Sequence, residues 1–372
     1  MNFSASRLTP PVCSASRMRR INEVALLRRL HWLGKSSRVE LAAALQLDTK
    51  TVTNLARDLL KQGCLTRDGL AASGRGRPRQ VLRLNSRQLQ AIGLHLTETE
   101  VRGARMDFDG RIRDRRVLPL DPQADSAVLQ DALRTLAADL LHRADSKIMG
   151  IGLAFPGMLD ADTGRILECA HLPAWKGVKV PDLFGDLTPG PFVFDTFTRA
   201  KALAEQWFGA AGALEDFILV DAGAGIGCAL VTRGELQTGA ARLGGELGHL
   251  IVNPRGARCR CGRRGCLETV CSLDTVMRAH NAASRAAALR SAGETMGLAL
   301  ANLAQVLNPA FVVITGALAD RGPAFLEGIH RGLDLYCSPA IRRSLTVKAG
   351  RTGESGALLG SGVLVLRSLF SV

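Results

Sequence analysis

The chain of 372 residues is 47% hydrophobic and carries 48 Lys and Arg against 34 Asp and Glu, a formal net charge of +14. That apolar content suffices for two or three packed domains and excludes a disordered chain. No apolar run approaches the roughly 20 residues of a membrane span, and Met1 to Arg20, polar and broken by Pro10 and Pro11, does not read as a secretory signal, so a cytoplasmic globular protein is expected.

The charge is unevenly placed. Residues 1–90 hold 17 Lys/Arg against 5 Asp/Glu, whereas residues 91–372 hold 31 against 29. A basic module on a near-neutral body points to a polyanion partner for that module alone, most often nucleic acid; the alternative is a basic surface kept for solubility. The nine cysteines lack the spacing of a disulfide framework, which fits reduced thiols.

Residues 1–19 are expected as a flexible N-terminus and 20–85 as a winged helix-turn-helix. From Asn22 to Leu33, the residues Val24, Leu26, Leu27, Leu30 and Leu33 recur at helical spacing, and Gly34 ends the segment. A second helix buries Val39, Leu41, Ala42 and Leu45, and Gln46-Leu47-Asp48 makes a tight turn with Leu47 as its apolar plug. The third helix, Thr49 to Gln62, is capped by Asp48 or Thr49. It buries Val52, Leu55, Leu59 and Leu60 and presents Lys50, Thr51, Thr53, Asn54 and Arg57. Short polar side chains near its start can reach base edges in the major groove, while Lys50 and Arg57 pair with phosphates. Two strand-like segments flank the loop 73–79, so Arg75, Arg77 and Arg79 are expected on a wing that enters a narrow minor groove. A helix-turn-helix that docks protein rather than DNA is the competing possibility.

The rest of the chain alternates. Ala91–Leu96 and Val101–Phe108 form a hairpin pattern, Val128–Leu141 is helical, and Ile148–Phe155 is a buried strand ending at Pro156-Gly157. Phe192–Phe194, Phe217–Asp221 and Phe311–Ile314 are short strands; Thr198–Phe208, Ala292–Leu307 and Ala324–Tyr336 are helices. The pattern is that of an α/β protein with mixed sheets, without a short-period repeat. Within it, His249, Cys259, Cys261 and Cys266 gather on one Gly- and Arg-rich loop. Thiolate and imidazole are the donors Zn²⁺ prefers, and four protein ligands leave no open position, so a structural zinc is expected. Glu246 and Glu268 flank the cluster and would be held rigid by it.

These residues resemble the ROK family of bacterial repressors and sugar kinases. The resemblance is carried by Gly245-Glu-Leu-Gly-His249, the run from Cys259 to Glu268, Ala154-Phe-Pro-Gly157, Trp175-Lys-Gly177, Ala204-Glu205 before Phe208-Gly209, and Asn308-Pro309 before Ile314-Thr-Gly316. It implies an actin-like, ribonuclease-H-like ATPase fold over 86–372, with one lobe of 86–195 plus the C-terminal helix and another of 196–355. A helix-turn-helix ahead of it resembles the repressor branch. Where the family's kinases carry the phosphate loop Asp-x-Gly-Gly-Thr, this chain has His95-Leu-Thr-Glu-Thr99, although the second glycine run, Asp221 to Gly227, is retained. The family's catalytic Asn-Asp pair falls on Thr196-Phe197, and a phenyl ring accepts no proton; Asp195 substitutes only if the register shifts. The resemblance assigns Gly157, Glu246, His249 and Glu268 to a sugar or sugar-like effector, made atypical by Phe197, unless Glu246 and Glu268 only brace the zinc loop. The stretch between Glu268 and Asn308 is shorter than usual in the family, and a homodimer or dimer of dimers is expected. The expected function is a non-enzymatic transcriptional regulator, a repressor of carbohydrate-metabolism genes on double-stranded operator DNA. The alternatives are an ATP-dependent sugar kinase with an accessory DNA-binding domain, and a constitutive DNA binder.

Overall fold

The computed structural model describes residues 15–71, 79–87, 89–185, 187, 190–212 and 214–368. The basic module comprises α1 (Ala15–Leu33), β1 (Ser36–Ser37), α2 (Arg38–Leu45), α3 (Thr49–Lys61), β2 (Leu65–Ala71) and β3 (Arg79–Leu84). Leu26, Leu27 and Leu30 of α1 meet Leu41 of α2 and Val52, Leu55 and Leu59 of α3 in one core. The helix starts are set by local chemistry. The Ser37 hydroxyl accepts from the Glu40 N–H at 3.3 Å while the Glu40 carboxylate accepts from the Ser37 N–H at 2.8 Å, a reciprocal cap. Asp48 accepts from the Thr51 N–H at 2.8 Å and caps α3. Between them Gln46 takes a left-handed φ of 54°, and the Leu47 N–H donates to the Ala42 carbonyl, which closes the expected turn. The three strands pair in the order β1-β3-β2.

Two expectations change here and a third is not reached. Helix α1 begins at Ala15 rather than Asn22, so 15–19, expected as flexible, is helical. Val39 is 42% exposed rather than buried, because Leu41 and Ala42 carry the inward face of α2. The expected wing tip with Arg75 and Arg77 lies outside the described residues.

The body begins with β4 (Leu89–Leu96), β5 (Glu100–Asp107), β6 (Ile112–Pro119), α4 (Ser126–His142) and β7 (Lys147–Phe155). A small hairpin, β8 (Met158–Leu159) and β9 (Ile166–Glu168), precedes β10 (Phe192–Thr196). The sheet order is β10-β7-β4-β5-β6, and Leu129, Leu133 and Leu140 of α4 cover one face. Helix α5 (Phe197–Phe208) leads to β11 (Phe217–Ala222), β12 (Ile226–Thr232) and β13 (Glu235–Gln237). Two short helices follow, α6 (Glu268–Cys271) and α7 (Leu273–Met277), then α8 (Ala282–Leu307), β14 (Phe311–Thr315), α9 (Pro323–Tyr336), α10 (Pro339–Ser344), β15 (Thr346–Ala349) and α11 (Gly356–Ser368). The second sheet runs β13-β12-β11-β14-β15.

Numbered from its own first strand, each large sheet has the order 3-2-1-4-5. The topology therefore occurs twice in a sequence that shows no short repeat, and it gives the two-lobed α/β body that was expected. In each sheet the first, fourth and fifth strands are parallel, and ligands of such sheets sit beyond the carboxyl ends of the strands. Among the described residues no helix is long and apolar enough to cross a membrane.

Helix α11 returns to the first sheet and packs on β4, β7 and β10. The approach is close because Gly152 lacks a side chain: a Cβ there would lie 1.8 Å from the Ser361 carbonyl oxygen. Gly152→Ala is expected to destabilise the protein by about 1–3 kcal/mol, seen as a lower urea midpoint at unchanged slope. Gly185→Ala, where an added Cβ meets nothing within 4 Å, is the control and should shift stability by less than about 0.5 kcal/mol.

Candidate functional site

The ends of β7 and β10, the first turn of α5, the β11–β12 turn and the loop before His249 enclose a cleft of about 210 Å³. Gly157, Glu246, His249 and Glu268 all line it, together with Asp195, Phe197 and Arg199, so residues far apart in sequence meet. Gly157 has a φ of 105°, and a Cβ there would lie 2.5 Å from the Glu168 carbonyl oxygen, so only glycine fits this wall. Glu268 accepts from the Ile226 N–H at 3.2 Å. Burial raises the pKa of the Glu246 carboxyl, and Glu268 raises it further, against the pull of His249 and Arg199.

The four expected metal ligands converge. Cys259 Sγ lies 3.7 Å from His249 Nδ1 and Cys261 Sγ 3.6 Å from Cys266 Sγ, and all four donor atoms fall within 4.8 Å of one another. Zinc–sulfur bonds of about 2.3 Å place tetrahedral sulfurs about 3.8 Å apart, so the donor set and its spacing fit Zn²⁺. The Arg263 N–H holds the Cys261 thiol down to about 6, toward the thiolate a metal requires. With Nδ1 turned to the cysteines, His249 Nε2 faces the cleft, 3.9 Å from Glu246 Oε2. One imidazole thus joins the metal loop to the cleft.

Asp195 is engaged through one of its two carboxylate oxygens. Its Oδ1 accepts from Arg199 Nη1 at 3.1 Å and from the Thr196 N–H at 2.7 Å. Arg199 Nη2 in turn donates to the carbonyls of Arg242 and Gly244 at 2.7 and 2.8 Å. Phe197 packs against Ala154, Ala200 and Ala357, its ring 6.2 Å from that of His95. Burial pulls the His95 imidazole down to about 3, which keeps it neutral. One turn along α5, Lys201 Nζ donates to Asp221 Oδ1 at 2.5 Å, and the Thr315 hydroxyl donates to the same oxygen at 3.1 Å. The retained glycine run therefore starts from a carboxylate already paired inside the protein. Lys201 was missed from sequence, although a lone cation within Ala200-Lys-Ala-Leu-Ala is a readable signal of a buried partner.

Helix α5 then leaves the cleft and enters the basic module. Leu203 and Trp207 join the core formed by α1, α2 and α3. His31 Nε2 donates to the Trp207 carbonyl at 2.8 Å, its ring stands edge-on to Phe208 at 5.3 Å, and burial lowers its pKa. Buried Glu205 fixes this end of the helix by accepting from the backbone N–H groups of Ala210, Arg351 and Thr352.

On the candidate nucleic-acid face, Lys50, Thr53 and Arg57 are exposed and Thr51 and Asn54 half-buried. The Thr51 hydroxyl donates to Asp48 and so takes part in the helix cap, and Arg57 reaches Asp58 at 3.2 Å. Arg79 is exposed at the start of β3. Arg38, Lys61 and Arg67 line a groove with Arg57. The charge count included these three, but only the fold brings Arg38 and Arg67 beside Arg57 and Lys61 of α3.

Residues 91–368 match the model of the ROK family. The DNA-binding transcriptional dual regulator NagC of Escherichia coli (strain K12) is 26% identical over 95% of this chain and 94% of its own length. A glucokinase of Halalkalibacterium halodurans is 29% identical over 74% of this chain and 94% of its own length. A crystal structure of a ROK family transcriptional regulator, a homolog of the E. coli MLC protein, superposes with a TM-score of 0.79 at 21% identity, over 95% of this chain and 97% of that one, and so shares the fold. With three quarters of its length matched and the two-lobed body in place, the chain belongs to the ROK family.

Proposed function

We propose that the chain is a sequence-specific DNA-binding regulator, a repressor of carbohydrate-metabolism genes that responds to a sugar-like effector. The observation that carries this reading is helix α5, whose first turn lines the cleft and whose last turn lies in the core of the three-helix module. An effector seated beside Phe197 and Arg199 acts by favouring one arrangement of that helix and the module it holds.

In this reading, residues 20–85 bind operator DNA and 86–372 sense the effector. Lys50 and Arg57 contact phosphates, with Arg75, Arg77 and Arg79 on the wing, while Thr53 and Asn54 read bases and Thr51 adds to the helix start. Glu246, Glu268 and His249 Nε2 take sugar hydroxyls beside the backbone of Gly157, and the Phe197 ring adds an apolar wall suited to a deoxy or acetylated ring. Zn²⁺ on His249, Cys259, Cys261 and Cys266 would supply rigidity, since four protein donors leave it no catalytic position. A homodimer would read two half-sites about 34–36 Å apart. Phosphoryl transfer is absent in this reading, because Phe197 accepts no proton, Asp195 is held by Arg199, and Lys201 pairs Asp221.

Three outcomes check the reading. In gel-shift titration against DNA upstream of its own gene neighbourhood, the protein gives a specific complex that survives competitor and weakens with a sugar. Lys50→Ala weakens all DNA and lowers the salt slope by about one, whereas Asn54→Ala costs about 1–3 kcal/mol of discrimination. Binding without sequence preference sinks the proposal. An ATP-coupled assay across a hexose panel shows no turnover; turnover that disappears in Asp195→Ala would establish a kinase instead. Cys261→Ser releases zinc to a colorimetric chelator and abolishes the effector-induced thermal shift, yet leaves operator affinity without effector within about threefold, a change worth less than about 1 kcal/mol. An undiminished thermal shift in the zinc-free variant would separate the metal from sensing.

A further inference from the structure

Among the described residues, Gln46, Arg233, Arg242 and Asn308 take a left-handed φ without being glycine. Three of them do so where the chain has to turn. Gln46 and Asn308 close the C-terminal ends of α2 and α8, and Arg233 shares with Gly234 the two-residue turn between β12 and β13. Arg242, with a φ of 57°, is the one that lines the cleft. An arginine held this way costs the fold stability that a glycine would not, and strain of this kind collects at ligand sites.

The backbone of Arg242 is fixed. Its N–H donates to the Gly239 carbonyl at 3.1 Å, the Gly244 N–H donates to the Thr238 carbonyl at 2.9 Å, and the Arg242 carbonyl accepts from Arg199 Nη2 at 2.7 Å. The side chain is not fixed. Arg242 is exposed, and its guanidinium makes no ion pair or hydrogen bond among the described residues. The other basic groups of the cleft are committed. Arg199 is divided between Asp195 and two carbonyls, His171 lies against Glu98 and Arg260, and His249 turns Nδ1 to Cys259. The charge of Arg242 nevertheless reaches the cleft: burial raises the pKa of the Asp195 carboxyl, and Arg199 and then Arg242 pull it back. The cleft is therefore polarised, with Glu246 and Glu268 as acceptors on one side and an uncommitted guanidinium beside the first turn of α5.

We infer that Arg242 receives a carboxylate of the effector, so that the cleft prefers a sugar acid, such as a hexuronate, to the neutral hexose. This rests on the carbohydrate-sensing reading above and adds the charge of the ligand. Glu246 and Glu268 accept from ring hydroxyls, while the planar fork of Arg242 matches a carboxylate. Asp195 does not compete for it, being paired with Arg199. One guanidinium in a cleft that also holds Glu246 and Glu268 suits the single charge of a carboxylate better than the nearly double charge of a phosphate. Because Arg199 of α5 grips the Arg242 carbonyl, the acid group is felt one hydrogen bond away from the helix that enters the basic module.

Isothermal titration of the full-length, zinc-loaded protein tests this with glucose, galactose and mannose, the matching hexuronates and the hexose 6-phosphates. At least one hexuronate is expected to bind about tenfold or more tightly than its parent hexose. In Arg242→Gly the two bind alike, and without ligand this variant melts at or above the temperature of the unmodified protein, because glycine takes the left-handed φ without strain. Arg242→Lys, which keeps the charge and loses the fork, retains part of the preference. Hexuronate and hexose binding equally to the unmodified protein overturns the inference and leaves the sugar-sensing reading standing. A hexuronate preference that persists in Arg242→Gly, or a 6-phosphate bound more tightly than the hexuronate, also overturns it. If none of these carbohydrates binds, both readings fall. The comparison of acid and neutral sugars on the unmodified protein does not depend on any variant folding.

Discussion

Helix α5 is held on every side, and the arrangement of the rest follows from that. Residues Thr198 to Ala200 and Ala202 to Trp207 are buried. Ala202 faces Phe217, Leu219 and Ala229 of the second sheet, Ala200 faces Ala154 and Ala357 of the first lobe, and Leu203 and Trp207 face the basic module. Alternating alanines let three bodies approach one helix: a Cβ on Gly360 of α11 would lie 1.8 Å from the Ala200 carbonyl oxygen. A close-packed element of this kind transmits displacement as a unit, because its neighbours cannot absorb a shift locally.

The same helix also carries polar ties to both lobes. Its first residue presents a phenyl ring, and its Arg199 clamps the Arg242 and Gly244 carbonyls. Its Lys201 holds the Asp221 carboxylate, and both side chains are largely withdrawn from solvent. Deleting one partner of such a pair leaves a buried charge unmatched, at a cost of about 3–5 kcal/mol. The polar groups along the helix therefore fasten the two lobes to each other.

Legibility in the sequence followed the range of each interaction. Helical periodicity located α3 and α4 to within a few residues, and the His249, Cys259, Cys261 and Cys266 spacing announced their convergence, because both signals are local. The reciprocal cap of Ser37 and Glu40 is equally local and is written as Ser-x-x-Glu. Contacts that depend on the whole fold left no local trace. The repeated 3-2-1-4-5 strand order has no matching sequence period, and His31 meets Trp207 across 176 positions.

The route of α11 has a consequence for the order of assembly. Val363, Leu364 and Leu366 contribute to the core that also holds Leu26, Leu41 and Leu59 of the basic module. The first elements of the chain thus share a hydrophobic interior with its last helix, a loop closure of more than 300 residues between α1 and α11. Such distant contacts form late and slowly. A chain lacking α11 leaves that interior open to water, so the basic three-helix module packs fully only after the last helix of the body is in place.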